Sequence, residues 1–158
     1  LAHFLKNFGN KINIFVLGAG SNVLLNDKLF DGVVIKLGKN FSNITLMPNN
    51  IIVAGAGVND KKLSDFALKN SIGGFEFLSC IPGSIGGGIR MNSGCYDEDI
   101  SKILVSVQTM DLNGNIRVIY ASDIKAKRIS WEVLNWNLSA IKFDVKIYPA
   151  LCEYFIVE

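Results

Sequence analysis

The sequence predicts an α+β fold, and three observations point to it. Short apolar runs rich in β-branched residues outnumber the stretches with helical spacing. These strand-like runs do not alternate regularly with helices, as they would in a doubly wound parallel sheet. The 158 residues are 49% hydrophobic and 19% charged, a balance typical of a compact globular domain with a buried core.

The first part of the chain contains one helical stretch and four predicted strands. Residues 1–8 have the pattern of a helix that is already under way at Leu1, so we expect the chain to be a fragment. Residues 12–17 are an apolar run that predicts a buried strand, and residues 32–37 predict a second strand. Residues 44–47 and 51–54 flank "PNN", and this turn signal predicts a β-hairpin.

A predicted helix follows this hairpin. Asn59 or Asp60 can cap its first turn, because short polar side chains accept hydrogen bonds from the free N–H groups there. Leu63, Phe66 and Ala67 recur at helical spacing, which predicts that one face packs on a sheet. The glycines at 73–74 are expected to end the helix.

The last third of the chain is predicted to be mainly strand. "NGN" at 113–115 predicts a tight turn between antiparallel strands at 103–111 and 116–120. Ser122 or Asp123 could begin a short helix, and residues 138–148 alternate apolar with polar residues as a late strand does.

Composition excludes several classes of partner. The formal net charge of +2 comes from scattered lysines, which argues against binding to nucleic acid or to an anionic membrane surface. Three cysteines without CxxC spacing and one histidine indicate neither a disulfide framework nor a metal site. No targeting segment or spanning run of about 18 apolar residues is recognisable. We therefore expect a cytoplasmic protein whose partners are small molecules.

The segment "GAGSN" at residues 18–22 follows the first predicted strand. Val23 and the sequence around it fit neither the GxGxxG dinucleotide pattern nor a P-loop. Glycines allow a main chain in which successive N–H groups surround one anion, and Ser21 and Asn22 add side-chain donors. The residues alone leave two alternatives, a tight turn and a phosphate-binding loop.

A second glycine-rich segment, "IPGSIGGG", covers residues 81–88. Pro82 fixes one φ angle, Gly83 and the glycines at 86–88 remove side chains, and Ser84 offers a hydroxyl to a phosphate or a helix terminus. Ordering each glycine costs about 0.5–1 kcal/mol relative to alanine, and a ligand in contact with the main chain would offset this cost. The alternative is close packing of a helix on a sheet through small residues.

The order "LGAGSN" and then "GFEFLSCIPGSIGGGIRMNSGCYDEDI" resembles the FAD-binding part of the UDP-N-acetylenolpyruvoylglucosamine reductase family of peptidoglycan synthesis. The family pattern for the second segment reads G-I-P-G-[ST]-[VI]-G-G-A-x-x-x-N-x-G-A-Y-G. The resemblance implies a flavin domain of the p-cresol methylhydroxylase or vanillyl-alcohol oxidase type, with two α+β subdomains around FAD. It implies that residues 1–158 form an N-terminally incomplete FAD-binding domain and that the substrate-binding domain lies outside this chain.

The resemblance also implies which residues contact FAD. The first segment would surround the pyrophosphate, the second would follow the pyrophosphate and ribityl chain, and the residues after it would lie nearer the flavin ring. Arg90 is left with two interpretations, a phosphate contact and a solvated arginine. The implied cofactor-binding residues are Gly18, Ala19, Gly20, Ser21, Asn22, Ile81, Pro82, Gly83, Ser84, Ile85, Gly86, Gly87, Asn92, Gly94, Cys95 and Tyr96.

The implied reaction reduces UDP-N-acetylglucosamine enolpyruvate to UDP-N-acetylmuramate, with NADPH as the hydride donor to FAD. Negative charge that develops at the substrate carboxylate requires a cation, and the family supplies an arginine in a Y-R-x-S motif. "KRIS" at 127–130 is its counterpart here, which implies Arg128 as the catalytic carboxylate binder, although Lys127 replaces the tyrosine. The family's proton-donating serine and late glutamate would lie beyond residue 158. Asp97 stands where the family has glycine.

Two other functions remain open at the level of sequence. The chain could be a flavin-binding module of a different oxidoreductase, or a truncated remnant without independent activity. Flavin absorbance in the purified chain would separate the remnant from the other two.

Overall fold

The protein is described by a computed structural model that covers residues 1–25, 27–125 and 154–157. Its helices are α1 Ala2–Phe8, α2 Asp60–Lys69, α3 Ile85–Met91, α4 Ile100–Ile103 and α5 Ala121–Lys125, with 3₁₀ turns at Lys39–Phe41 and Glu76–Cys80. Its strands are β1 Ile14–Leu17, β2 Val33–Lys36, β3 Ile44–Met47, β4 Ile51–Ala54, β5 Gly94–Cys95, β6 Glu98–Asp99, β7 Leu104–Met110, β8 Ile116–Tyr120 and β9 Tyr154–Val157. No helix within these ranges has the length and apolar character needed to cross a membrane.

The strands form a five-stranded antiparallel sheet and two smaller pairs. The order in the large sheet is β3-β4-β9-β7-β8, so the last described strand lies between two that come much earlier in the chain. β1 and β2 pair in parallel, with Ile14 opposite Val33, which requires a crossover connection between them. Helices and a mainly antiparallel sheet in one structure confirm the predicted α+β class.

The predicted helix after the first hairpin is confirmed, with an earlier end. The Asn59 side chain accepts a hydrogen bond from the Lys62 N–H at 3.3 Å and caps the first turn. The helix ends at Lys69 rather than at the glycines, because Ser71 takes a left-handed φ of 58° and the Ile72 N–H bonds back to the Ala67 carbonyl.

The predicted "NGN" turn joins β7 to β8 and is organised by Asp111. Its carboxylate accepts hydrogen bonds from the Asn115 N–H at 2.9 Å and from the Asn113 N–H at 2.8 Å. Hydrogen bonds from the backbone and side chain of Asn115 are the main cause that lowers the pKa of Asp111. Gly114 takes a φ of 77° at the tip of the turn. The strand predicted at 138–148 lies outside the described residues.

Two apolar clusters hold the sheets and helices together. The larger one packs α2 and α3 on the five-stranded sheet and includes Ile52, Leu63 and Ile85, which are all almost completely buried. A smaller cluster around Leu5 and Met110 packs α1 and the β1–β2 pair beside β7. Together they bring the C-terminal end of β1 close to the loop after β4 and to the start of α3.

The turn between β5 and β6 contains two consecutive left-handed residues, Tyr96 at φ 56° and Asp97 at φ 63°. A two-residue turn of this kind favours glycine at its second position, because a Cβ is strained there. We expect Asp97→Gly to stabilise the fold by about 0.5–1 kcal/mol, measured as a higher midpoint of urea unfolding. Asp65→Gly, the same exchange in the middle of α2, is expected to lower that midpoint. A lower midpoint for Asp97→Gly would contradict the strain argument.

Candidate binding cavity

A cavity of about 370 Å³ opens where β1, the loop after β4 and the first turn of α3 meet. Its volume lies within the range of small-molecule sites in proteins. It is lined by Ile14, Phe15, Val16, Leu17, Gly18, Ala19, Lys36, Leu37, Ala56, Gly57, Asn59, Gly83, Ser84, Gly86, Gly87 and Arg90.

The two glycine-rich segments predicted from the sequence meet at this cavity. A Cβ placed on Gly18 would stand 2.8 Å from the Ser84 Oγ and 3.7 Å from the Gly87 Cα. A side chain at Gly18 would therefore collide with the second segment. Because glycine has no side chain, the two main chains can approach each other.

The second segment is fixed by hydrogen bonds to residues 56–60. The Gly83 carbonyl accepts from the Asn59 Nδ2 at 3.1 Å and from the Asp60 N–H at 3.3 Å. The Ile85 N–H donates to the Val58 carbonyl, and the next N–H along the chain donates to the Ala56 carbonyl, both at 2.9 Å. These hydrogen bonds fix the position of the start of α3 relative to the loop that follows β4.

The three consecutive glycines have different surroundings, although all three lie in α3. A Cβ on Gly86 would lie 3.0 Å from both the Cβ and the carbonyl oxygen of Ala56, and Gly88 is buried against Ile100. Gly87 lines the cavity, and only the Ser84 Oγ, at 3.4 Å, would stand near a Cβ there. Close packing through a small residue, one of the two alternatives from the sequence, is therefore present at Gly86 and Gly88, and Gly87 has open space in front of it.

A third glycine segment contributes to the cavity and was missed from the sequence. Ala56, Gly57 and Asn59 line it, and they belong to "GAGVN" at residues 55–59. The signal was available, because this segment repeats the G-A-G-x-N pattern of "GAGSN" at 18–22. Each copy follows an apolar strand, and each contributes residues to the cavity wall.

The charged side chains that line the cavity are both cations. Lys36 projects from β2, and Arg90 lies in the last turn of α3, and both are exposed to solvent. The remaining wall combines glycine main chain with apolar residues of β1 and Leu37. Such a wall suits a ligand that carries anionic groups on an otherwise flat or apolar body.

The structure does not bring every predicted cofactor-binding residue to this cavity. Gly20, Ser21 and Asn22 form an exposed turn beyond its edge, and Ile85 points into the core. Asn92 ends α3 with a φ of 46°, and its Oδ1 accepts from the Ser101 N–H at 2.9 Å. Ile81, Pro82, Gly94, Cys95 and Tyr96 also lie outside the lining, with Tyr96 81% exposed. Arg128 lies outside the described residues.

Comparison with known proteins gives the class of protein to which this chain belongs. A family model described as an FAD binding domain matches residues 5–120. The chain therefore belongs to the FAD-binding domain family. This match agrees with the paired glycine segments and the cationic cavity described above.

Two relatives of this chain are reductases of the same name. The chain is 61% identical over 121 residues to UDP-N-acetylenolpyruvoylglucosamine reductase from Pelagibacter ubique, a match that covers 77% of this chain and 40% of that protein. It is 42% identical over 158 residues to the enzyme of the same name from Rickettsia massiliae, with 100% of this chain and 53% of the relative covered. The family resemblance deduced from the glycine motifs is thereby confirmed. The chain spans about half the length of the relatives it matches.

A solved structure supports the fold. UDP-N-acetylenolpyruvylglucosamine reductase from Thermus caldophilus superposes with a TM-score of 0.64 at 21% identity, over 100% of this chain and 52% of that one.

Proposed function

We propose that this chain is the FAD-binding part of a UDP-N-acetylenolpyruvoylglucosamine reductase that uses NADPH and acts in the cytoplasm on a UDP-sugar enolpyruvyl ether. One observation carries the proposal: two predicted glycine segments converge on a cavity whose charged lining groups are Lys36 and Arg90. The names of the relatives support the reaction. Residues 1–158 would then belong to the FAD-binding domain of that enzyme.

The residues of the cavity fit a dinucleotide pyrophosphate. Gly18, Gly83 and Gly87 present main chain without side chains, so phosphate oxygens can approach the backbone closely. Ser84 can donate its hydroxyl, and Lys36 and Arg90 can balance the charge of the two phosphates. The apolar wall of β1 and Leu37 would cover a nonpolar part of the cofactor.

FAD, when bound, supplies the hydride-carrying chemistry of the reaction. The described residues would orient it and exclude water from the phosphates, because main-chain hydrogen bonds fix the start of α3 against the loop after β4. In this proposal Arg128 binds the substrate carboxylate, and the serine and glutamate that complete proton transfer belong to the part of the enzyme beyond residue 158. The ring-side contacts implied for Asn92, Gly94, Cys95 and Tyr96 belong to the same proposal.

The proposal predicts that the purified chain binds FAD, with flavin absorbance near about 450 nm and quenched flavin fluorescence. Lys36→Glu is expected to weaken this binding about tenfold or more at low salt, and less at high salt, because a repulsive charge replaces an attractive one. Lys69→Glu, at the far end of α2 and outside the cavity lining, is the matched control and should bind FAD as the unaltered chain does. Equal affinities for the two variants would remove this cavity as the pyrophosphate site.

The other open functions are separated by two further measurements. A chain that binds no FAD under any condition would be a remnant. The second measurement uses the full-length enzyme that contains this chain. If it binds FAD but UDP-N-acetylglucosamine enolpyruvate does not reoxidise its reduced flavin, the chain is a flavin module of another oxidoreductase.

A further inference from the structure

A buried carboxyl lies directly behind the second glycine segment. Asp60 is the first residue of α2 and has no exposed surface. Neither of its carboxyl oxygens has a hydrogen-bond partner among the described residues. Buried carboxyl groups normally have such partners, so a group without them calls for a specific explanation.

Glycines and one serine surround this carboxyl. A Cβ on Gly83 would overlap the Asp60 Oδ2, and a Cβ on Gly88 would stand 3.8 Å from the Oδ1. The Ser93 Oγ is also buried without a partner among the described residues, and it lies 2.8 Å from the same Gly88 position. The carboxyl therefore lies against the back of the segment whose front lines the cavity.

Burial disfavours the charged form of this group. Removal from water raises the pKa of Asp60 to about 7, so its protonation changes near neutral pH. The cause is desolvation, and no charged side chain on the surrounding elements opposes this shift. The carboxylate of Asp99 accepts a hydrogen bond from the Ser101 hydroxyl. The charged residues on these elements are Lys61, Lys62, Asp65, Arg90 and Asp99.

We propose that Asp60 is a positioning residue. Its protonated carboxyl allows Gly83 to adopt the conformation that binds FAD, and its ionisation weakens FAD binding. This inference rests on the proposed FAD site. A carboxylate at this place has no described partner, so it gains solvation only if the second segment moves away from it. It would also repel the phosphates on the other side of the same main chain.

Linkage gives the reciprocal effect. Two negative phosphates next to the segment favour the protonated form of Asp60, so FAD binding near neutral pH should take up a proton. Asp60 loses its proton as the pH is raised, and it takes up a proton again when FAD binds.

The test compares the full chain with Asp60→Asn, which keeps the shape of the side chain without its charge. FAD affinity is measured from pH 6 to 8.5, and proton uptake by titration calorimetry in two buffers of different ionisation enthalpy. We expect the unaltered chain to bind FAD about tenfold more weakly at pH 8.5 than at pH 6, with proton uptake near neutral pH. Asp60→Asn should change less than twofold. Asp65→Asn, on the exposed face of α2, should follow the unaltered chain.

A pH-independent affinity in the unaltered chain, or an unchanged pH dependence in Asp60→Asn, would overturn the inference. If no FAD binds at any pH, the proposed function fails. The pH dependence of the stability of the ligand-free chain then tests the role of Asp60. Because its pKa is raised in the folded state, stability should fall as the pH rises from about 4 through 7. That loss should be absent in Asp60→Asn, and an equal loss in both proteins would refute the role. Should Asp60→Asn not fold, proton uptake by the unaltered chain alone would support or refute it.

Discussion

Replacing Gly87 with valine is expected to weaken FAD binding at least about a hundredfold and to leave the fold intact. Gly87 lines the cavity, and a Cβ there would contact only the Ser84 Oγ, at the ordinary distance of 3.4 Å. The valine methyl groups would therefore project into free space that phosphate oxygens need. A hundredfold loss corresponds to about 2.7 kcal/mol, the scale of displacing a charged group from main-chain donors.

The fold should tolerate this change because Gly87 lies inside α3. Glycine is the poorest ordinary residue in a helix interior, so valine there removes a penalty of a few tenths of a kcal/mol. Alanine at the same position should raise the unfolding midpoint further, since it has the best helix propensity, while weakening FAD binding less than valine does. Substitutions at a glycine that contacts the ligand are expected to raise the stability of the fold and to lower the affinity for FAD.

The measurement is fluorescence titration of FAD together with urea unfolding of each variant. Gly38→Val is the matched control, because a Cβ on Gly38 meets no atom within 4 Å and the residue lies outside the cavity lining. It should change neither property. If Gly87→Val binds FAD as tightly as the unaltered chain, the pyrophosphate does not lie against α3.

Local sequence signals predicted most of the secondary structure. The "PNN" and "NGN" turns and the Asn59 cap each depend on side chains close to one another in sequence, and the structure contains all three. Two short apolar runs likewise predicted β1 and β2, although each strand is shorter than expected and β1 is only partly buried rather than buried. Such features are visible in the sequence because their physical causes act over a few residues.

Features that depend on distant residues were not predictable in the same way. The glycines of α3 have poor helix propensity, and the helix forms because its first N–H groups bond to the carbonyls of Ala56 and Val58. The place of β9 between β4 and β7 likewise depends on pairings across about a hundred residues with β4 and about fifty with β7.

The candidate site was predicted in part for the same reason. Both glycine segments and Ser84 were identified from their composition, and the structure brings them to one cavity. Lys36 was not, because an exposed lysine in a strand has no local signature of function. Asp60 was expected only as a possible helix cap, and nothing in its neighbours indicates that its side chain is buried. Its significance depends on Gly83, which lies 23 positions further along the chain.

The close contact between Asp60 and Gly83 predicts a strong coupling in stability. A Cβ at Gly83 would overlap the Asp60 Oδ2, which is buried and has little room to move. The φ of Gly83 is not left-handed, since the glycines with positive φ among the described residues are Gly20, Gly74 and Gly114. Steric overlap is therefore the expected source of strain, and Gly83→Ala should destabilise the protein by about 1–3 kcal/mol.

The same substitution should cost much less once the carboxyl is removed. In an Asp60→Ala background the new methyl group enters space that the carboxyl has vacated, so Gly83→Ala should cost less than about 1 kcal/mol. An Asp65→Ala background, on the exposed face of α2, should leave the full cost in place. Urea unfolding of the single and double variants at one pH measures the coupling as the difference between the two costs. If Gly83→Ala costs the same in all backgrounds, the strain arises elsewhere and the second segment does not rest on Asp60.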